Sequence, residues 1–172
     1  MSTLFRRLEA AANVATVIAA ILLVAVLIGN HRRRPPADTA PKGGPSEVRA
    51  GVKLPVPGVE WGAGERTLVM ALSTGCHFCT DSAPFYQRLA QERAKNPNLR
   101  LVAVFPQAVA QGQEYLNRLG VSVDDVRQAQ FAPLGVSGTP TLIVANREGL
   151  VEASWQGRLS GEKEAEVLQR LR

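Results

Sequence analysis

The chain of 172 residues holds two cysteines, Cys76 and Cys79, three apart in Ser73-Thr74-Gly75-Cys76-His77-Phe78-Cys79-Thr80-Asp81. Thiols at this spacing can carry out disulfide exchange. The first attacks a partner's disulfide, and the second resolves the mixed disulfide that forms. The attacking species is the thiolate, an anion, and the flanking residues place it where an anion is stabilised. Before the pair, Arg66 to Leu72 is an apolar run of strand length; after it, Phe85, Leu89, Ala90 and Ala94 recur at helical spacing. The pair therefore falls at a strand-to-helix junction. Unsatisfied N–H groups and the positive end of the helix dipole favour negative charge there. Cys76, nearer the start of the helix, is the expected nucleophile, and Cys79, one turn in, the resolving thiol. The chemistry calls for no cofactor beyond a redox-active Cys76–Cys79 disulfide.

Blander readings fit less well. A structural zinc site wants four ligands, yet His77 is the only other nearby candidate, and His31 stands far upstream. Inert buried thiols sit poorly at a junction flanked by Gly75 and Asp81. A permanent disulfide closing so small a ring would constrain the unfolded chain little. A copper(I) chaperone using Cys76, Cys79 and His77 as ligands is the alternative from another functional class. Against it stands the lack of any Met-rich or His-rich stretch, with two Met and two His in the chain. Around the thiols, a protonated His77 would stabilise the Cys76 thiolate and tune its pKa, while Asp81 places a negative charge in the same turn. The two have similar leverage, so the sequence leaves the redox potential open. Phe78 is expected as an apolar contact for partner proteins.

The elements that must position this site follow from the rest of the chain. Residues 1–45 carry six Lys/Arg against Glu9 and Asp38, so most of the formal charge of +5 belongs there. The remainder is nearly neutral and gives no reason to expect nucleic acid. After a short flank (1–9), Ala10 to Gly29 is an apolar run broken only by Asn13 and Thr16. Twenty helical residues cover roughly 30 Å, the thickness of a bilayer core. The basic stretch Arg32-Arg33-Arg34 follows instead of a cleavage site, so an uncleaved transmembrane anchor in the lipid bilayer is expected. The Lys/Arg count would keep the following domain in the cytoplasm. A tethered dithiol is most useful facing an oxidising compartment, so we expect the domain outside, against that count. Residues 30–47, rich in Pro and Gly, read as a tether. The domain proper, 48–172, opens with an extended edge strand over Val48–Val59. A strand over 67–73 comes next, then a helix to Lys95 kinked at Pro84. Beyond these we expect a strand at 99–105, a helix at 111–119, a second helix from Asp124 to Leu134, and a hairpin of strands at 141–145 and 150–156 turning on Asn146–Gly149. A last helix, capped by Ser160, would bury Ala165, Leu168 and Leu171. Trp61 and Trp155 read as packing residues. The order makes an α/β sheet with helices on both faces.

This arrangement resembles the thioredoxin fold, and more narrowly the TlpA/ResA-type membrane-anchored thioredoxin-like proteins. Cys76-His77-Phe78-Cys79 stands in the C-x-x-C place, Pro84 where such helices carry a kinking proline, and Gly138-Thr139-Pro140 before a strand resembles the cis-proline loop. Asn146-Arg147-Glu148-Gly149-Leu150-Val151 resembles the family's hairpin, and a surplus of chain at about 107–130 matches the extra helix and strand of the TlpA-like branch. The resemblance implies a central mixed β-sheet flanked by helices and a cis Pro140 that brings the Thr139 backbone against the cysteines, ready to bind an extended substrate. It further implies thiol–disulfide oxidoreductase activity on cysteines of exported proteins, more in the reducing direction. Electrons would come from a membrane dithiol donor, with the domain periplasmic at a bacterial inner membrane. Two family features are missing. Gly75 stands where a Trp often precedes the first cysteine, and the buried acidic residue that serves the second thiol would fall near Met70, with no evident substitute.

Overall fold

The computed structural model describes residues 48–172. The expected flank, anchor and linker (1–9, 10–29 and 30–47) lie outside the described residues. Among the described residues no helix is long and apolar enough to cross a membrane.

Five strands, β1 (Arg66–Ala71), β2 (Leu99–Phe105), β3 (Asp125–Gln128), β4 (Thr141–Asn146) and β5 (Val151–Gln156), form one mixed sheet in the order β3-β2-β1-β4-β5. β1 and β2 run parallel, as do β2 and β3, while β4 is antiparallel to both β1 and β5. The central β1 is buried from Thr67 to Ala71, which explains its unbroken apolar run. Among the described residues four α-helices accompany the strands, three between β1 and β3 and one after β5: α1 (His77–Asp81), α2 (Ala83–Lys95), α3 (Val109–Arg118) and α4 (Gly161–Leu171). The parallel pair β1 and β2 brings the loops after Ala71 and after Phe105 to the same edge of the sheet, the usual place for chemistry in such folds.

The period-two alternation of the strands sorts the core into two layers. Leu68, Met70 and Leu72 join Phe85, Tyr86, Leu89, Leu116, Val167 and Leu171, so the buried apolar side chains of all four helices lie in this layer. Val69, Ala71, Val102, Val104 and Ile143 face the other way. There Leu54, Val56 and Trp61 from the entry segment, with Phe131, Leu134 and Val136, complete the cover. Helices on both faces are expected from the element order. Among the described residues the second face is instead covered by loops and the 3-10 turns Trp61–Ala63 and Ala132–Leu134, with no α-helix.

Four local expectations change. The segment expected as a helix from Asp124 to Leu134 is β3 followed by a 3-10 turn at Ala132–Leu134. Asp124 does not start a helix: its carboxylate accepts from the Leu101 N–H (2.8 Å) and pairs with Arg93 (2.8 Å), pinning the edge of β2. Burial alone would push this carboxyl up, but the bonds from Arg93 and Leu101 hold it below the usual range. The expected entry strand reduces to one antiparallel bridge, Lys53 to Leu150, as its prolines lack the N–H groups that a ladder needs. Ser160 has extended backbone at the start of α4, but its side chain makes no capping bond; its carbonyl accepts from the Glu164 N–H (2.9 Å). Finally, α4 buries Val167 and Leu171, with Leu168 partly covered and Ala165 exposed.

Candidate active site

The helix after β1 is not continuous. α1 ends at Ser82, and α2 restarts with Pro84 in its first turn, where the missing N–H costs nothing. α1 is five residues long, so stabilisation of an anion at its start comes from local N–H groups rather than from a long dipole. Cys76 is its N-cap. The Cys76 Sγ accepts from the Cys79 N–H (3.1 Å) and donates to the Thr139 carbonyl (3.3 Å). Its own N–H donates to the Ser73 carbonyl (3.1 Å). Both cysteines are free thiols. Cys76 is half-buried, whereas Cys79 is fully buried among the apolar side chains of the helical layer. Burial pushes the Cys79 thiol up to about 12, and its hydrogen bond with Cys76 adds to this; the Ser73 backbone and the Thr139 side chain act in the opposite sense.

Thr139 and Pro140 reach the site from the loop before β4, and their peptide bond is cis. The loop is tied down on both sides, by the Thr141 hydroxyl to the Gly138 carbonyl (2.7 Å) and by the Gly157 N–H to the Pro140 carbonyl (2.7 Å). The structure thus brings Cys76, Cys79 and Thr139 together. His77 and Phe78 stand at the rim and point outward. The His77 side chain is 80% exposed, with Nε2 3.2 Å from the Asp81 carboxylate, and the Arg158 guanidinium lies 3.5 Å from the same carboxylate. Asp81 therefore faces the Arg158 guanidinium as well as the His77 imidazole. Phe78 is 56% exposed, its ring 5.8 Å from that of His77.

Several neighbours were not singled out in the sequence. Gln107, in the loop after β2, donates to the Ser73 hydroxyl (3.1 Å). The Tyr115 hydroxyl on α3 lies 3.1 Å from that of Thr80, tying the surplus segment to the active-site helix. Met70 is fully buried at the place where an acidic group was missed. In the same buried layer the Tyr86 oxygen has no hydrogen-bond partner, and the Ser82 hydroxyl donates to the Phe78 carbonyl (2.8 Å). No periodicity or spacing signals these residues, because each meets the site through a different element. Among the described residues, no group of three or more His, Cys, Asp or Glu is placed to hold a metal.

No protein-family model matches the chain, and no curated protein matches it in sequence. Solved structures do resemble it. A Chlorobium tepidum protein assigned as the thiol:disulfide interchange protein DsbE superposes with a TM-score of 0.59 at 21% identity, over 73% of this chain and 97% of that one. The thioredoxin domain of a thiol-disulfide oxidoreductase from Bacteroides vulgatus gives 0.55 at 14%, over 73% and 100%. A thiol-disulfide isomerase from Corynebacterium glutamicum gives 0.54 at 14%, over 76% and 96%. The described domain has the thioredoxin fold.

Proposed function

We propose that this chain is a membrane-anchored thiol–disulfide oxidoreductase that exchanges disulfides with exported proteins. The carrying observation is the asymmetry of the dithiol: Cys76 is reachable and held by backbone groups on both sides, while Cys79 is sealed one turn behind it. The names borne by the structural neighbours support the same class of chemistry.

In reducing a partner, the Cys76 thiolate attacks one sulfur of the partner's disulfide. That bond breaks, and the partner's second sulfur leaves as a thiolate. Cys79, deprotonated, then attacks Cys76 Sγ, closing the internal disulfide and releasing the partner's first sulfur. Two electrons pass to the partner. Phe78 offers an apolar rim, and the Thr139–Pro140 backbone offers a place for an extended segment. Likeness to the TlpA/ResA type supports the reducing direction, a membrane dithiol donor, and a periplasmic domain tethered to the bacterial inner membrane by residues 10–29.

The test is the equilibrium potential of the full-length chain, titrated against dithiothreitol or glutathione with thiol trapping. A value near roughly −270 mV is expected of a reductant. A value near roughly −120 mV would reverse the direction, and a pair that never titrates would overturn the reading.

A further inference from the structure

Between the end of β1 and Cys76 the chain crosses Ser73-Thr74-Gly75. Leu72 is still held to the sheet, its N–H donating to the Val104 carbonyl (2.9 Å), and the turn closes with the Cys76 N–H on the Ser73 carbonyl (3.1 Å). Among the described residues, one side chain from elsewhere in the fold hydrogen-bonds to this turn: Gln107 Nε2 donates to the Ser73 hydroxyl (3.1 Å). Gln107 stands in the loop after β2, which leaves the same edge of the sheet because β1 and β2 are parallel. That loop is itself anchored, since Gln128 Nε2 from β3 donates to the Pro106 carbonyl (3.1 Å). The other half of the Gln107 carboxamide is left over: Oε1 is buried without a hydrogen-bond partner. A buried acceptor left unpaired destabilises a fold, and a methionine of similar length would avoid that. Stability alone therefore gives no reason for an amide at this position. Its donor half, bonded to the turn that leads into the nucleophile, gives one.

We propose that Gln107 is a positioning residue for Cys76, acting through Ser73 when the dithiol is reduced. The proposal deepens the exchange reading above and rests on it. In the oxidised form, the bond to buried Cys79 fixes Cys76 Sγ covalently. In the free dithiol that bond is gone, and Sγ is held by the Cys79 N–H (3.1 Å) and the Thr139 carbonyl (3.3 Å). Such contacts are directional, so they depend on where the main chain of Cys76 lies. On one side α1 sets that main chain; on the other, the Ser73 turn does. By ordering the turn, Gln107 lowers the ordering still to be done when Cys76 lines up on a partner's disulfide. The thiolate then forms a bond to one partner sulfur, the partner's S–S bond breaks, and its other sulfur leaves as a thiolate. Gln107 touches none of these atoms. Because the oxidised form needs the tie less, the tie also shifts the equilibrium toward the dithiol.

The experiment follows the reduced full-length chain reacting with glutathione disulfide. The first, concentration-dependent phase forms the mixed disulfide on Cys76. In Gln107→Met this phase slows about fivefold or more, the scale of one net hydrogen bond. The exchange equilibrium with glutathione moves toward the Cys76–Cys79 disulfide by about threefold or more, on the same scale. Resistance of the oxidised chain to urea is unchanged or raised. Ser73→Ala, which removes the acceptor, slows the first phase equally, and adding Gln107→Met to it slows nothing further. A first phase in Gln107→Met within twofold of wild type overturns the proposal, as does an unmoved exchange equilibrium. Slowings that multiply in the double variant overturn the route through Ser73, and the proposal with it. An oxidised Gln107→Met chain that loses urea resistance overturns it as well, because the residue is then a general support of the fold. A wild-type chain that forms no mixed disulfide at all overturns the exchange reading itself, and this proposal falls with it.

Discussion

The mouth of the site around Cys76 and its floor around Cys79 lie three residues apart in one turn of chain, yet they are different media. At the mouth the sulfur meets main-chain groups, the Cys79 N–H and the Thr139 carbonyl, with solvent at hand. At the floor the sulfur lies under the helical layer with Met70, Phe85 and Tyr86. At the rim, Asp81 meets His77 and Arg158. The comparison teaches that burial, more than spacing, sets the two sulfurs apart, and under the proposed exchange this difference makes Cys76 the attacking thiol and Cys79 the resolving one. A peptide carrying the same four residues would have two similar sulfurs.

The largest expected effect breaks the pair outright. Cys76→Ser abolishes exchange, whereas Cys79→Ser still attacks and accumulates a stable mixed disulfide, seen as a mass adduct after reaction with glutathione disulfide. Equal adducts from both variants would erase the distinction between mouth and floor. The next effect reads the floor by pH. The Cys79 pKa rises from 9.0 to about 12 on folding, so below pH 9 both states hold the proton and the group's contribution is fully present. Between about 9 and about 12 only the unfolded chain ionises, and stability falls by up to about 4 kcal/mol at about 1.36 kcal/mol per unit. Urea midpoints of the reduced chain should therefore drop across that window, and drop less in Cys79→Ala.

A smaller effect tests what holds the floor from outside. Gly112 lets α3 press on Phe105, and a Cβ there would meet that ring at 2.6 Å. Gly112→Ala should cost about 1–3 kcal/mol by overpacking and speed alkylation of Cys79. The smallest effect lies at the rim. Asp81→Asn removes a negative charge beside the active turn, so alkylation of Cys76 at neutral pH should quicken, and His77→Gln should slow it. Both changes should stay near twofold and shrink with added salt, since exposed charges are screened. A large shift from His77→Gln would mean that the rim governs the mouth.

Much of the frame was legible because it depends on local pattern. The apolar run Leu99 to Phe105 is β2 to the residue. The hairpin after β4 was readable from Asn146 and Gly149, and the structure shows why. The Asn146 carboxamide oxygen accepts from the N–H groups of Glu148 (3.1 Å) and Leu150 (2.9 Å), and Gly149 takes a φ of +79° while lying against Trp61. The stretch at 124–134 was misread because paired acids open helices in most contexts. Here the open edge of β2 supplies a partner for Asp125–Gln128, and a ladder along that edge outweighs local propensity. Of the site, the two cysteines and the Thr139–Pro140 loop were found through motif and resemblance. Gln107, Tyr115 and Arg158 were not, since their side chains reach the site from other elements.

The sequence by itself determined where thiol chemistry would sit, after the central strand and at the start of a helix, because strand period, helix period and cysteine spacing are properties of neighbours along the chain. Only the tertiary structure decided which sulfur is open and which is sealed, and that among the described residues no α-helix covers the second face of the sheet. Those outcomes depend on burial and on contacts between residues far apart in the chain, and no local pattern encodes the dielectric in which a side chain comes to rest.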